Sequence, residues 1–227
     1  NKDKTMKVLI IVPAYNEEKN LPVLIPKITA EGWDYIVIND GSTDNSAQML
    51  AEKGFNHLDL TVNAGLAAVT KMGFMYAHDH GYDAALVVDG DGQHPPVYIR
   101  NLVKKIEEGY DYVVGSRFIN QKKPMTMRMV GSRLICGAIK LKTGITVTDP
   151  TSGMRALGRK TLEDFARNMN FIAEPDALTY VLRRGYKYAE TQVNMQERME
   201  GVSYFRSPLK SARYMFTILM SILFLQW

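Results

Sequence analysis

The chain has 227 residues, 46% of them hydrophobic and 23% charged, with a formal net charge of +4. That length suits one large domain, or a domain with an appendage, around a sizeable core, and the ordinary composition excludes a disordered or fibrous chain. The mild charge gives no reason to expect a nucleic-acid partner. The single cysteine, Cys136, excludes an intramolecular disulfide and a cysteine-rich zinc site, and it reads as a small packing residue.

The start, "NKDKTMKVLIIVP", has an apolar run of only strand length and no small-residue cleavage site, so a cytoplasmic protein is the default expectation. From residue 7 to residue 116 apolar, β-branched runs at 8–12, 35–39, 57–62, 85–88 and 112–116 alternate with helical spacing over 18–31, 44–53, 66–80 and 96–108. The alternation predicts βαβ units and a mostly parallel α/β sheet flanked by helices, whose ligands bind beyond the carboxyl ends of the strands. The polar clusters fall at those ends: "PAYNEE", "DGSTDNS", "NAGLAA", "DGDGQHPP" and "SRF".

Past Arg117 the alternation stops. Residues 125–143 read as a helix with basic residues, 149–156 as a loop entering a short strand, 173–185 as a helix and 187–195 as an edge strand. Residues 1–202 are expected to form one domain, with a tail over 203–227. In that tail Arg206, Lys210, Arg213, Thr217 and Ser221 fall on one side of a helix, beside an apolar remainder that includes Met215, Phe216, Ile218 and Ile222. A basic stripe beside an apolar face predicts an interfacial membrane helix, against the plainer reading of a helix packed on the domain. The fourteen uncharged residues 214–227 fall short of the roughly twenty that a spanning helix needs.

Asp89 and Asp91 end the fourth apolar run, where two carboxylates are costly without a positive partner. Hard oxygen ligands suit Mg²⁺ or Mn²⁺, which share their shell with water and substrate phosphates, so two protein carboxylates suffice; Gln93 or His94 can add a ligand or support one. The plain alternative is a solvated glycine turn. Asp40 ends the second strand and either accepts from a nucleobase N–H or ribose hydroxyl or bonds its own turn. Asp44 reads as a helix cap, and one of Glu17 and Glu18 as a first-turn acid. Gly65, within "NAGLAA", stands where a backbone can approach a ligand closely, and Arg117 brings a guanidinium that can meet a phosphate bidentately.

Together "VPAYNEE", "NDGSTDNS", "NAGLAAV", "VVDGDGQHPP", "VGSRF", "DPTSGMRA" and "RMEGVS" resemble glycosyltransferase family 2, with its GT-A fold, and most of all its dolichyl-phosphate mannose synthase-like, polyprenyl-phosphate group. The resemblance covers nearly the whole chain to about residue 205. It implies Pro13, Tyr15, Glu17 and Asp40 around base and ribose, and Asp89, Asp91 and Gln93 at the metal. It further implies Arg117 and Arg198 facing phosphates, and Asp149, Ser152 and Arg155 near the acceptor. Two departures stand out. Leu66 follows "NAG" where the family often has a basic residue or glycine, and "QERME" does not match the QxxRW of processive synthases, which argues against a polymerising enzyme.

The function expected is non-processive transfer of a sugar from a nucleoside-diphosphate sugar to a polyprenyl phosphate at the inner face of the membrane. A homo-oligomer is compatible with it. If the acceptor were instead a glycan hydroxyl, a general base would be needed, and Asp149 is the candidate. A non-catalytic nucleotide-sugar binder would be expected to lose the paired aspartates. A dinucleotide dehydrogenase lacks its GxGxxG after the first strand, and a nucleotidyltransferase its early glycine-rich loop.

Overall fold

The computed structural model describes residues 6–168, 173–196 and 215–225. Strands β1 (Val8–Ala14), β2 (Asp34–Asn39), β3 (His57–Asp59), β4 (Ala84–Val87), β5 (Tyr112–Ser116), β6 (Arg155–Gly158) and β7 (Tyr188–Gln192) form one sheet in the order β3-β2-β1-β4-β6-β5-β7. Every pairing is parallel except those of β6, which runs antiparallel to both β4 and β5. All seven residues of β1 are buried, as expected of a strand covered on both faces.

Helices α1 (Leu21–Ala30) and α4 (Ile99–Glu107) pack on one face of the sheet. Helices α3 (Leu66–Asp79), α5 (Met127–Thr143), α6 (Arg159–Asn168) and α7 (Glu174–Arg183) pack on the other. Helix α2 (Ser46–Glu52) follows β2, and a 3-10 turn, Pro96–Tyr98, precedes α4. The sequence reading finds these elements apart from α6, and it carries β3 three residues too far. In "RKTLEDFARN" only Leu162, Phe165 and Ala166 are apolar, yet their i, i+3, i+4 spacing seats all three in the core. Helix α5 is delimited chemically: Thr126 accepts the Met129 N–H at 3.3 Å, and Gly144 closes the helix in the left-handed region at φ 75°.

Residues 215–220 are helical and run into a turn of π-helix, Ser221–Leu225. Ile218 and Ile222 are fully buried against α5 and α7, and Met215 lies over Gly131 of α5, where a Cβ would find no room. Ser221 donates to the buried Asp176 at 2.7 Å. This corrects the expected polar seam, because Ser221 points into the protein with Ile218 and Ile222. Arg206, Lys210 and Arg213 lie outside the described residues. Among those described, no helix is long and apolar enough to cross a membrane.

Candidate active site

The carboxyl ends of β1, β2, β4 and β5 converge on one edge, and the antiparallel direction of β6 adds the loop before Arg155. Arg155 pairs in register with Val87 of β4 and Val114 of β5. Loops 14–20, 40–46, 60–65, 88–95, 117–126 and 148–154 therefore rim one site.

The loops after β1 and β2 are knitted together. Asn16, at φ 57°, accepts the Thr43 N–H at 2.8 Å, and Glu18 accepts the Asn45 N–H at 3.0 Å. Asp44 accepts the Ser46 N–H at 2.9 Å from one residue before Asn45, the N-cap of α2, so it supports the helix start without being the expected cap residue. Glu17 takes the Asn20 side-chain amide at 2.5 Å just before α1, while Glu18 serves the start of α2, so neither is the first-turn acid expected. Pro13 is buried and contributes its carbonyl, which accepts the Gly90 N–H at 3.1 Å; Tyr15 is exposed at the rim. Asp40 does not bond its own turn. Its two oxygens accept the Ala64 N–H at 2.6 Å and the Gly65 N–H at 3.0 Å, so it braces the loop after β3 instead of its own turn. Gly41 makes that closeness possible: at φ 62°, a Cβ there would stand 2.6 Å from the Val62 carbonyl carbon.

The turn after β4 holds Asp89 and Asp91. Asp91 is buried and accepts the Gln93 N–H at 3.0 Å. Asp89 Oδ2 lies 3.5 Å from Nδ1 of the wholly buried His94, while its side chain stays 32% exposed. Gly153 packs against this carboxylate so closely that a Cβ would come within 2.5 Å of Oδ2. Desolvation pushes the Asp89 carboxyl above the usual range, His94 and Arg155 pull it back, and Asp91 and Glu174 add to the rise. The Gln93 side-chain amide has no hydrogen bond among the described residues, so two carboxylates and an amide oxygen sit on one turn. This all-oxygen set fits Mg²⁺ or Mn²⁺ better than a softer metal. Among the described residues no three His, Cys, Asp or Glu side chains cluster to hold a metal alone.

On the other side of the edge Arg117 and Asp149 form a bidentate pair, Nε to Oδ2 at 2.6 Å and Nη2 to Oδ1 at 2.7 Å. The Arg117 N–H also reaches Oδ2 at 3.1 Å, and Asp149 is completely buried. Asp149, the candidate base only for a hydroxyl acceptor, is thus engaged as the counter-ion of Arg117 where the β5 and β6 loops lie side by side. Among the described residues Arg117 Nη1 makes no hydrogen bond. Ser152 is also spent internally, donating to the Gly115 carbonyl at 2.6 Å. Arg155 is buried and pairs with Glu174 at 3.1 Å, near enough to Asp89 to act on its charge. Arg198 lies outside the described residues.

Two residues were missed by the sequence reading. Glu190 of β7 accepts the Thr148 and Asp149 N–H groups at 2.9 and 3.2 Å and the Tyr188 hydroxyl at 2.8 Å, fixing the loop that carries Asp149. Alternation in "KYAETQ" shows its strand but not its partner. Glu174 reads from sequence only as a first-turn acid.

The sheet order and the polar edge define a GT-A fold. A solved structure of glucosyl-3-phosphoglycerate synthase from Mycobacterium tuberculosis, in complex with Mn²⁺, uridine diphosphate and phosphoglyceric acid, has a TM-score of 0.72 and 19% identity to this chain. It covers 97% of this chain and 79% of its own. Another of that enzyme holds Mg²⁺ and uridine diphosphate, so solved structures of this fold carry either divalent cation.

The family is shown by sequence: the Glycosyl transferase family 2 profile matches residues 9–166, and the chain belongs to that family of glycosyltransferases. Polyprenol monophosphomannose synthase of Mycolicibacterium smegmatis is 27% identical over 88% of this chain and 81% of its own length. Undecaprenyl-phosphate 4-deoxy-4-formamido-L-arabinose transferase of Pseudomonas fluorescens is 33% identical over 93% of this chain and 63% of its own. The chain spans about half the length, 52%, of the Photorhabdus laumondii transferase of the same name, to which it is 34% identical.

Proposed function

We propose that the protein moves a sugar from a nucleoside-diphosphate sugar to a polyprenyl phosphate at the inner membrane surface, without polymerising it. The polyprenyl-phosphate relatives support the acceptor class. The saturated state of Asp149 carries the choice of phosphate over hydroxyl. A sugar hydroxyl must lose a proton to attack, whereas a phosphate monoester is already anionic at neutral pH and needs positioning and charge screening.

In this reading Asp89, Asp91 and the Gln93 amide hold Mg²⁺ or Mn²⁺, which when bound screens the charge developing on the leaving diphosphate. The loops around Tyr15 and Asp40 receive base and ribose, with Gly65 and the loop that Asp40 braces alongside. Arg117, oriented by Asp149, offers Nη1 to a phosphate, and Arg198 is assigned a similar role. Arg155 and Ser152 shape the site from behind.

The test is to incubate the protein with nucleoside-diphosphate sugars and prenyl phosphates, with Mn²⁺ or with EDTA, and follow lipid product and nucleoside diphosphate. Metal-dependent appearance of both is expected. Transfer to a glycan hydroxyl but to no prenyl phosphate would refute the acceptor, and full activity in EDTA would refute the metal.

A further inference from the structure

Glu190 of β7 collects four donors: the Thr148 and Asp149 N–H groups at 2.9 and 3.2 Å, and the Thr148 and Tyr188 hydroxyls, each at 2.8 Å. A carboxylate only accepts, so four donors around one side chain suit it and do not suit an amide. The direction of the next bonds follows. Thr148 spends its one hydroxyl proton on Glu190, so the Ser116 hydroxyl must donate to Thr148 across their 2.5 Å contact. Ser116 is completely buried, and its oxygen accepts the Phe118 N–H at 3.1 Å. One chain of hydrogen bonds thus runs from the backbone beside Arg117 to Glu190. A second runs from the Arg117 guanidinium through Asp149, whose own N–H ends on the same carboxylate. Gln192, two residues along β7, adds a third hold. Its side-chain amide donates to the Arg117 carbonyl at 3.1 Å and accepts the Asn120 N–H at 3.0 Å.

We infer that Glu190 is the positioning residue for Arg117, fixing both the backbone and the counter-ion that aim its guanidinium at the acceptor phosphate. The sheet explains why the role falls to β7. In the parallel register Val114 lies opposite Glu190 and Ser116 opposite Gln192, so both side chains stand beside the strand end that carries Arg117. Alternation puts the two on one face of the strand. Glu190 touches no substrate in this arrangement and acts through Thr148 and Asp149. A forked guanidinium contact is directional, and a small misplacement of it is costly in rate. The turn of Asp89 and Asp91 lies on the other side of the edge, so a change at Glu190 should be felt by the acceptor and not by the metal. The inference rests on the proposed phosphate acceptor for its consequence, while its contacts can be tested without any acceptor.

Glu190→Gln keeps the shape of the side chain and sets an N–H₂ group among these donors. With a short, water-soluble prenyl phosphate it should raise the acceptor KM about tenfold, while donor KM and Mn²⁺ affinity stay within about twofold of the parent. A strut that only held the fold would change both substrates alike. In an Arg117→Lys background the forked contact is already lost, so Glu190→Gln should add less than about twofold. The readout that needs no acceptor is the Arg117 Nε–H signal in heteronuclear NMR, identified by its absence from Arg117→Lys. Its exchange with water should quicken about tenfold in Glu190→Gln. Circular dichroism reports whether that variant folds. If it does not, Thr148→Val cuts the hydroxyl link alone and should show the same acceptor-only rise, about threefold, with faster Nε–H exchange. Equal changes in both KM values, additive losses in the double variant, or unchanged Nε–H exchange overturns the inference. A parent chain that transfers to no prenyl phosphate removes the proposed acceptor, and the Nε–H exchange alone then decides about Glu190.

Discussion

Asp89 and Asp149 both stand at the catalytic edge of the sheet, and they are neutralised in different ways. Asp149 is fully buried and takes both charge and hydrogen bonds from Arg117 in a two-pronged contact. Asp89 keeps a third of its side chain open, has His94 only at 3.5 Å, and sits beside a second carboxylate, Asp91. An ion pair completed within the protein is structure. A carboxyl whose desolvation is only partly offset, as at Asp89, is a place for a cation to arrive. The same residue type is thus an ion-pair partner on one side of the edge and, in the proposed reading, a metal ligand on the other, and substitutions should separate the two.

The largest effect is expected at the open pair. Asp91→Asn should lower transfer by about a thousandfold, because an amide cannot replace an anionic ligand to a hard cation. Mn²⁺ titration followed by electron paramagnetic resonance should show the lost site while the unfolding midpoint stays near that of the parent. Transfer at parental rates would place the cation elsewhere.

Asp149→Asn should behave in the opposite way, damaging the fold first. Removing one partner of a buried pair costs about 3–5 kcal/mol, and the lower end applies because Arg117 remains 17% exposed. Denaturant unfolding measures this directly. The pairing also changes what an activity comparison of Arg117→Ala with Asp149→Asn can say: both variants break one contact, so similar losses identify no base. A steep acidic limb in the rate profile that vanishes only in Asp149→Asn would restore the hydroxyl-acceptor reading.

Gly153→Ala joins the two halves, since Gly153 lies on the Asp149 loop and touches Asp89. The added methyl would meet Oδ2 at 2.5 Å and Cγ at 3.1 Å, so the carboxylate must swing away. A drop of about tenfold in Mn²⁺ affinity is expected, corresponding to about 1.4 kcal/mol, with little loss of stability. Unchanged affinity would mean that Asp89 relaxes without cost.

How far the sequence reaches follows the same division. Strands β1, β2, β4 and β5 are legible because parallel strands covered on both faces leave continuous apolar runs, and their polar ends locate the edge. Asp89 and Asp91 are legible for the same reason: they are neighbours on one turn. Arg117 and Asp149 are separately visible, but their contact joins residues 32 apart, and no local pattern announces it. Arg155 is placed near the acceptor by resemblance, while its pair with Glu174 across the antiparallel strand is not encoded locally in the chain order. Asp40 shows the milder form of this failure, since its carboxylate position is foreseen but not the loop that it binds.

The smallest expected effect concerns the tail, where periodicity misplaced one residue. Ser221 continues a polar seam on a helical wheel, yet it donates to Asp176 at 2.7 Å from a buried position between Ile218 and Ile222. Ser221→Ala should cost only about 1 kcal/mol, the net worth of an ordinary hydrogen bond. Asp176 lies in the first turn of α7, where the helix dipole favours an anion, so its charge remains tolerated after the hydroxyl is lost. A small shift in the unfolding midpoint, with faster proteolytic clipping after residue 214, would show that the hydroxyl helps to seat the segment on α5 and α7. With both measurements unchanged, the burial of Ile218 and Ile222 would be enough to hold it there.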